Sequence, residues 1–229
     1  MEFLFDSANL EEIEKYSQYF PITGVTSNPS ILKGEGKIDF FAHMRKVRSL
    51  IGLEKTLHIQ VVGERWDDML AEARTILKHV DERVYIKVPT TEEGLKTMRI
   101  LKAKGVNVTA TAIYSKIQGF LAIAAGADYI APYYNRMENL DVDSRDTITA
   151  FRQMIDETGA PSKILAASFK SISQANHALL AGAHAVTVKP AMLHEAFHMA
   201  PLQKAVVDFR ADWVSTQGEC SICDLAKNS

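Results

Sequence analysis

Lys87 lies in the run Val84-Tyr85-Ile86-Lys87-Val88-Pro89. The run is β-branched and aromatic, and it reads as a buried strand. Taking an ammonium out of water costs several kcal/mol, so a lysine rarely sits in such a place without a reason. Burial favours the neutral amine and lowers its pKa. A neutral amine is what adds to a carbonyl to form a Schiff base. On the strand alone a second reading stands beside this one: a lysine with a buried stem whose head reaches water.

Other residues carry weaker chemical signals. His194-Glu195-Ala196-Phe197-His198 matches H-E-x-x-H, in which two histidines share a helix face and can bind zinc. Only three positions are fixed and no third ligand is evident, so an ordinary surface helix is the expectation and no metal is assigned. Cys220-Ser221-Ile222-Cys223 is an isolated C-x-x-C without the two further ligands of a structural zinc site. It reads as part of a polar tail. His58 shares a strand face with Gln60 and reads as a satisfied core histidine.

The elements that must position Lys87 come from periodicity. Apolar strand-like runs occur at 2–5, 24–26, 57–62, 84–88, 107–110, 129–131, 163–166 and 185–188. Between them, 10–20, 39–51, 66–79, 91–104, 115–125, 145–157 and 171–181 carry apolar residues at helical spacing. Lys104-Gly105 and Ala181-Gly182 put glycine where helices end. Eight βα units predict a single (β/α)8 TIM barrel; a doubly wound sheet would use five or six strands. Residues 33–38 read as a surface loop, and 202–213 as an extra C-terminal amphipathic helix. The predicted domain is 1–214, with a polar tail over 215–229.

Composition narrows the function. The chain has 229 residues, 47% hydrophobic and 24% charged, which is enough for one substantial core. A net charge of −2 gives no reason to expect nucleic acid or an anionic membrane as a partner. Met1-Glu2-Phe3-Leu4-Phe5-Asp6 has no basic leader, and two cysteines fit a reducing compartment. A cytoplasmic location is expected.

A barrel builds its site at the C-terminal strand ends. In this chain those ends carry Asp6, Thr26 with Asn28, Gln60, Lys87, Thr111, Tyr133 with Arg136, Ser168 with Lys170, and Lys189. One polar strand end means little. Eight converging on a buried lysine are hard to explain as packing.

Gly24-Val25-Thr26-Ser27-Asn28-Pro29-Ser30, Ile86-Lys87-Val88-Pro89-Thr90, Thr109-Ala110-Thr111-Ala112, Ala131-Pro132-Tyr133-Tyr134-Asn135-Arg136 and Leu165-Ala166-Ala167-Ser168-Phe169-Lys170 resemble the signatures of the small transaldolase family. They are most similar to its fructose-6-phosphate aldolase branch, and the resemblance runs to about residue 214. It implies a class I aldolase without a cofactor, with Lys87 as the Schiff-base lysine. Tyr133 would carry protons through a water held with Gln60 and Thr111. Tyr134 should face away by strand alternation. Asp6 and Asn28 would grip donor hydroxyls, with Thr26 nearby, though Asp6, Thr26 and Asn28 also suit loop or helix-cap roles. Arg136 and Ser168 would hold phosphate, since guanidinium matches phosphate oxygens in a fork.

By the same resemblance, transaldolases tend to carry glutamate at position 60 and phenylalanine at 133. Gln60 and Tyr133 therefore favour cleavage of fructose 6-phosphate to dihydroxyacetone and glyceraldehyde 3-phosphate, and the reverse reaction. Dihydroxyacetone transfer between sugar phosphates is the alternative. Thr109 departs from the branch and is expected to add a hydroxyl at the mouth, where it would bind substrate. A pyridoxal-phosphate barrel and a non-catalytic sugar-phosphate binder are the competing classes. The resemblance also implies a homo-oligomer, a pentamer or decamer, with the C-terminal helix packed on a neighbour.

Overall fold

The computed structural model describes residues 1–227. Eight parallel strands pair in chain order and close on themselves. They are β1 (Glu2–Asp6), β2 (Gly24–Thr26), β3 (Thr56–Gln60), β4 (Tyr85–Pro89), β5 (Val108–Ile113), β6 (Tyr129–Pro132), β7 (Lys163–Ala166) and β8 (Ala185–Val188). The helices that follow them include α1 (Leu10–Ser17), α2 (Pro29–Leu32), α3 (Phe40–Ile51), α4 (Trp66–His79), α5 (Glu92–Lys102) and α6 (Lys116–Ala124). Then come α7 (Tyr134–Glu138), α8 (Ser144–Thr158), α9 (Ile172–Leu180) and α10 (Pro190–Phe197). This is the (β/α)8 barrel that the alternation of runs predicts.

Local chemistry fixes the helix starts. Asn9, Asp39, Thr91, Asp143 and Ser171 each accept a hydrogen bond from a backbone N–H of the first turn of α1, α3, α5, α8 and α9. Asn9, not Asp6, caps α1, which leaves the Asp6 carboxylate for other work. Gly105 and Gly182 follow α5 and α9 with φ of 73° and 103°.

Two short helices escape the periodicity. Asn28 caps α2, accepting from the Ile31 N–H at 3.0 Å, with Pro29 at the first helical position. The first three residues of the expected 33–38 loop form a 3-10 turn, Lys33–Glu35. Strand alternation beyond Pro132 fails too, because the chain turns into α7 at Tyr134. Tyr134 is buried there, its carbonyl accepting from Ser144 Oγ at 2.8 Å. It does stay out of the mouth, but through a helix and not through alternation.

Residues 1–190 form one compact unit and the chain from 191 onward a second. The second unit holds most of α10, α11 (Ala200–Gln217) and α12 (Ile222–Ala226). Helix α11 is longer than the 202–213 stretch expected and passes position 214. The tail, read as merely polar, contains α12, started by a reciprocal capping box between Ser221 and Asp224. Cys220 and Cys223 are both free thiols. No helix among the described residues is long and apolar enough to cross a membrane.

Within the barrel, Leu4, Tyr129, Leu165 and Ala185 pack together, with Tyr85 against them. They form an apolar floor two to four positions before the polar strand ends. Helix α5 holds strand β4 in place through a close approach: a Cβ on Gly94 would lie 1.8 Å from the Pro89 carbonyl oxygen. Gly94→Ala should therefore push α5 off the strand that carries Lys87 and destabilise the protein by about 1–3 kcal/mol. A drop in the urea midpoint at unchanged m-value would show it; an unchanged midpoint would mean that α5 slides freely.

Candidate active site

Residues 1–190 enclose a cavity of about 550 Å³ at the C-terminal strand ends. Asp6, Asn28, Lys87, Tyr133, Arg136 and Ser168 line it, as do Lys170 and Lys189. Lys87 is only 3% exposed. Its ammonium donates to the Ser27 carbonyl at 3.1 Å. Burial holds its pKa below the usual lysine range, while the Asp6 charge pulls the other way. Asp6 is the reciprocal case. Burial raises its carboxyl, and Lys87, the Thr26 hydroxyl and Lys189 each oppose that rise.

The remaining predicted residues sit behind this lining. Thr26 Oγ1 donates to Asp6 at 2.7 Å and lies 2.7 Å from Thr187 Oγ1. Thr26 thus orients a cavity carboxylate and does not itself form the wall. Thr111 Oγ1 lies 3.0 Å from the Tyr133 hydroxyl. Burial raises the Tyr133 phenol above its usual range, partly offset by Thr111 and by Arg136. Gln60 pairs in register with Lys87. Its Oε1 is buried without a hydrogen-bond partner among the described residues. Gln60 also borders a second, apolar groove lined by Leu32, Phe41 and Val62.

Thr109 requires a correction. It is fully buried and does not line the cavity, so it adds no hydroxyl to the mouth. Its Oγ1 lies 2.8 Å from His58 Nδ1, and His58 Nε2 lies 2.9 Å from Thr56 Oγ1. With both ring nitrogens occupied, His58 stacks on Tyr85 at 4.7 Å. Burial, then Lys87 and Arg48, hold its pKa well below 6.5. It is the satisfied core histidine that the pattern suggests.

Backbone geometry re-aims the wall. Between Ala110 and Ile113 the β5–β6 register shifts, and Ala112 adopts φ 57°. Such a bulge redirects side chains at a barrel rim. Ser168 sits at φ 65°, left-handed for a non-glycine residue, in the cavity wall itself. Strain of this kind concentrates where function dictates the conformation.

Sequence patterns missed the opposite wall. Ser7, Asn9, Glu12, Ser30 and Glu35 also line the cavity. Asn9 Nδ2 donates to Glu35 at 3.4 Å, and Ser7 Oγ to Glu12 at 3.2 Å. Ser7 and Asn9 lie in the turn between β1 and α1, Glu12 on α1, and Ser30 and Glu35 in the stretch after Asn28, where the periodicity shows only loop or solvated helix face. The cavity therefore has an acidic side after β1 and β2 and a basic side after β6, β7 and β8.

Residues 3–221 match the family described as Transaldolase/Fructose-6-phosphate aldolase. The chain belongs to that family. It is an aldolase or transaldolase by class. A probable fructose-6-phosphate aldolase of Streptococcus pneumoniae is 50% identical over 222 residues, which is 97% of this chain and all of that protein. Within this aldolase family setting, the H-E-x-x-H pair does something local. His194 and His198 have ring centroids 3.8 Å apart, and His198 Nδ1 lies 2.8 Å from the His194 carbonyl. Among the described residues no three histidines, cysteines or carboxylates gather as a metal site.

The Asp6–Lys87 pairing generates a test with a definite sign. Removing the Asp6 charge removes the interaction that favours the ammonium, so Lys87 should lose its proton more easily. In Asp6→Asn, the pH midpoint for reaction of Lys87 with an amine-directed reagent, followed by mass spectrometry, should move to lower pH than in the unaltered protein. A midpoint that stays or rises would show that Asp6 does not set the amine.

Proposed function

We propose that Lys87 forms a Schiff base with a ketose phosphate and that the protein cleaves fructose 6-phosphate to dihydroxyacetone and glyceraldehyde 3-phosphate, and runs the reverse. The observation that carries this reading is the buried amine of depressed pKa opening into a cavity charged oppositely on its two sides. Lys87 Nζ adds to the C2 carbonyl, and loss of water leaves an iminium. A base takes the C4 hydroxyl proton, the C3–C4 bond breaks, and its electron pair flows into the iminium to give an enamine. Glyceraldehyde 3-phosphate leaves. The enamine is protonated at C3, and water releases dihydroxyacetone and restores the amine. The iminium is itself the electron sink, so the chemistry needs no cofactor.

The charge layout supports one orientation of the substrate. The phosphate end points to Arg136 and Ser168, with Lys170 and Lys189 adding positive potential. The unphosphorylated end lies toward Asp6 and Asn28. Tyr133, with its pKa raised by burial, keeps its proton at neutral pH and is suited to donate it to the enamine. A water accepted by Gln60 Oε1 and shared with Thr111 would connect the phenol to the reacting carbons.

Transfer of the three-carbon unit to an aldehyde acceptor is the second reading, because the family includes transaldolases. Gln60 and Tyr133 speak for aldol cleavage, since a phenol can protonate the enamine and free the site without an acceptor. A homo-oligomer, pentamer or decamer, accords with the exposed apolar residues Leu202, Val206, Val207 and Phe209 of α11. The two free thiols suit a cytoplasmic protein.

Three measurements test the reading. Lys87→Met should abolish both turnover and borohydride trapping of dihydroxyacetone; trapping that survives would overturn the Schiff-base assignment. Glyceraldehyde 3-phosphate should appear from fructose 6-phosphate alone, and release only when erythrose 4-phosphate is present would make the protein a transaldolase. Tyr133→Phe should slow cleavage on the order of 100-fold and slow transfer less; equal losses would reduce Tyr133 to a spacer.

A further inference from the structure

Tyr114 directly follows β5 and falls outside every motif considered above. Its backbone N–H donates to Gln118 Oε1 at 2.9 Å, which fixes the turn into α6. Its ring meets the Tyr133 ring edge-on, with centroids 5.6 Å apart at 75°. Its hydroxyl accepts a hydrogen bond from Arg136 Nη1 at 3.1 Å. The Arg136 guanidinium in turn lies over the Tyr133 ring, 4.8 Å from its centroid. Tyr133, Arg136 and Tyr114 thus close a triangle, and the Tyr133 hydroxyl reaches from it to Thr111.

Arg136 is exposed, and a free arginine has rotamer entropy to lose on ordering. One hydrogen bond and one aromatic face restrain the guanidinium before any ligand arrives. The Tyr114 hydroxyl engages one of five N–H donors, so the group keeps a two-donor edge for an anion. Tyr133 is held from two sides by the same pair. We propose that Tyr114 is a positioning residue: its hydroxyl braces Arg136 as a preformed clamp for the substrate phosphate, and its ring edge holds the Tyr133 phenol at Thr111. This rests on the aldolase reading given above for the role of Tyr133, but the phosphate clamp can be measured without it.

The two parts of the side chain separate by substitution. Tyr114→Phe keeps the ring and removes the brace; Tyr114→Ala removes both. Condensation of dihydroxyacetone is followed with glyceraldehyde 3-phosphate and with glyceraldehyde as acceptors. In Tyr114→Phe the ratio of kcat/KM, phosphorylated over unphosphorylated, should fall about 3- to 10-fold, through a raised KM for the phosphorylated acceptor. In Tyr114→Ala kcat should drop for both acceptors, and Tyr114→Phe should recover most of that drop. A Tyr114→Phe ratio equal to that of the unaltered protein would overturn the brace. Equal kcat in Tyr114→Phe and Tyr114→Ala would overturn the role of the ring. Calorimetric titration with inorganic phosphate gives a readout without turnover. If the unaltered protein binds phosphate more tightly than Tyr114→Phe but catalyses no condensation, the aldolase reading fails and the brace stands. Equal phosphate affinity in the two proteins counts against the brace whatever the turnover.

Discussion

The interaction on which the site depends is the removal of Lys87 from water beside a carboxylate that is also removed from water. A buried ion pair gains little net stability, because desolvation takes back most of the Coulomb energy. Here burial drives both members toward their neutral forms, while each one's charge favours the charge of the other. The outcome is an amine held below its usual pKa near a carboxylate held above its own. Everything around it keeps that balance. The Ser27 carbonyl accepts a hydrogen bond from the amine, the Thr26 hydroxyl donates one to Asp6, and Leu4, Tyr129 and Leu165 pack in the apolar floor below.

A closed parallel barrel makes this arrangement affordable. The strands deliver a lysine from β4 and a carboxylate from β1 to a common mouth, with hydroxyls of β2, β5 and β8 behind or beside them, and only β5 shifts its register. Left-handed backbone at non-glycine residues falls at Ala112 in β5 and at Ser168 in the cavity wall, and also at Asp141 in the loop before α8. The core histidine shows the same economy lower down. With both nitrogens satisfied by threonine hydroxyls, His58 stays neutral and adds no second positive charge beneath Lys87.

Much of this was legible in the sequence, and the failures have physical causes. Strands buried on both faces read as short apolar runs, and longer helices show their apolar stripe, so all eight strands and the seven longer helices between them stood out. A helix of four or five residues completes too few turns to show a period. Its only signal is chemical, as in Asn28-Pro29, a cap followed by a proline suited to the first turn. Helix α7 was hidden because Tyr133-Tyr134 continues the composition of β6. Thr109 was misplaced for a different reason. A threonine on the inner face two positions before Thr111 looks equivalent to it, and only the position of His58 shows that its hydroxyl points to the floor.

The acidic wall was the least legible part, and it changes how the cavity is understood. Glu12 lies on α1 and Glu35 just after α2, positions where a carboxylate is ordinarily a solvated surface group. Their tethering by Ser7 and Asn9 turns them toward the same space as Lys87. A ketose that carries a phosphate at one end then meets a field with a direction. On the proposed reading its anionic end would be drawn to Arg136 and repelled from Glu12 and Glu35, which would order the chain of carbons across the amine before any covalent bond forms. Specificity arises from the repulsive side as much as from the attractive one. A substrate with phosphates at both ends would have to place one of them against carboxylates, and the geometry that favours a singly phosphorylated ketose disfavours it for the same reason.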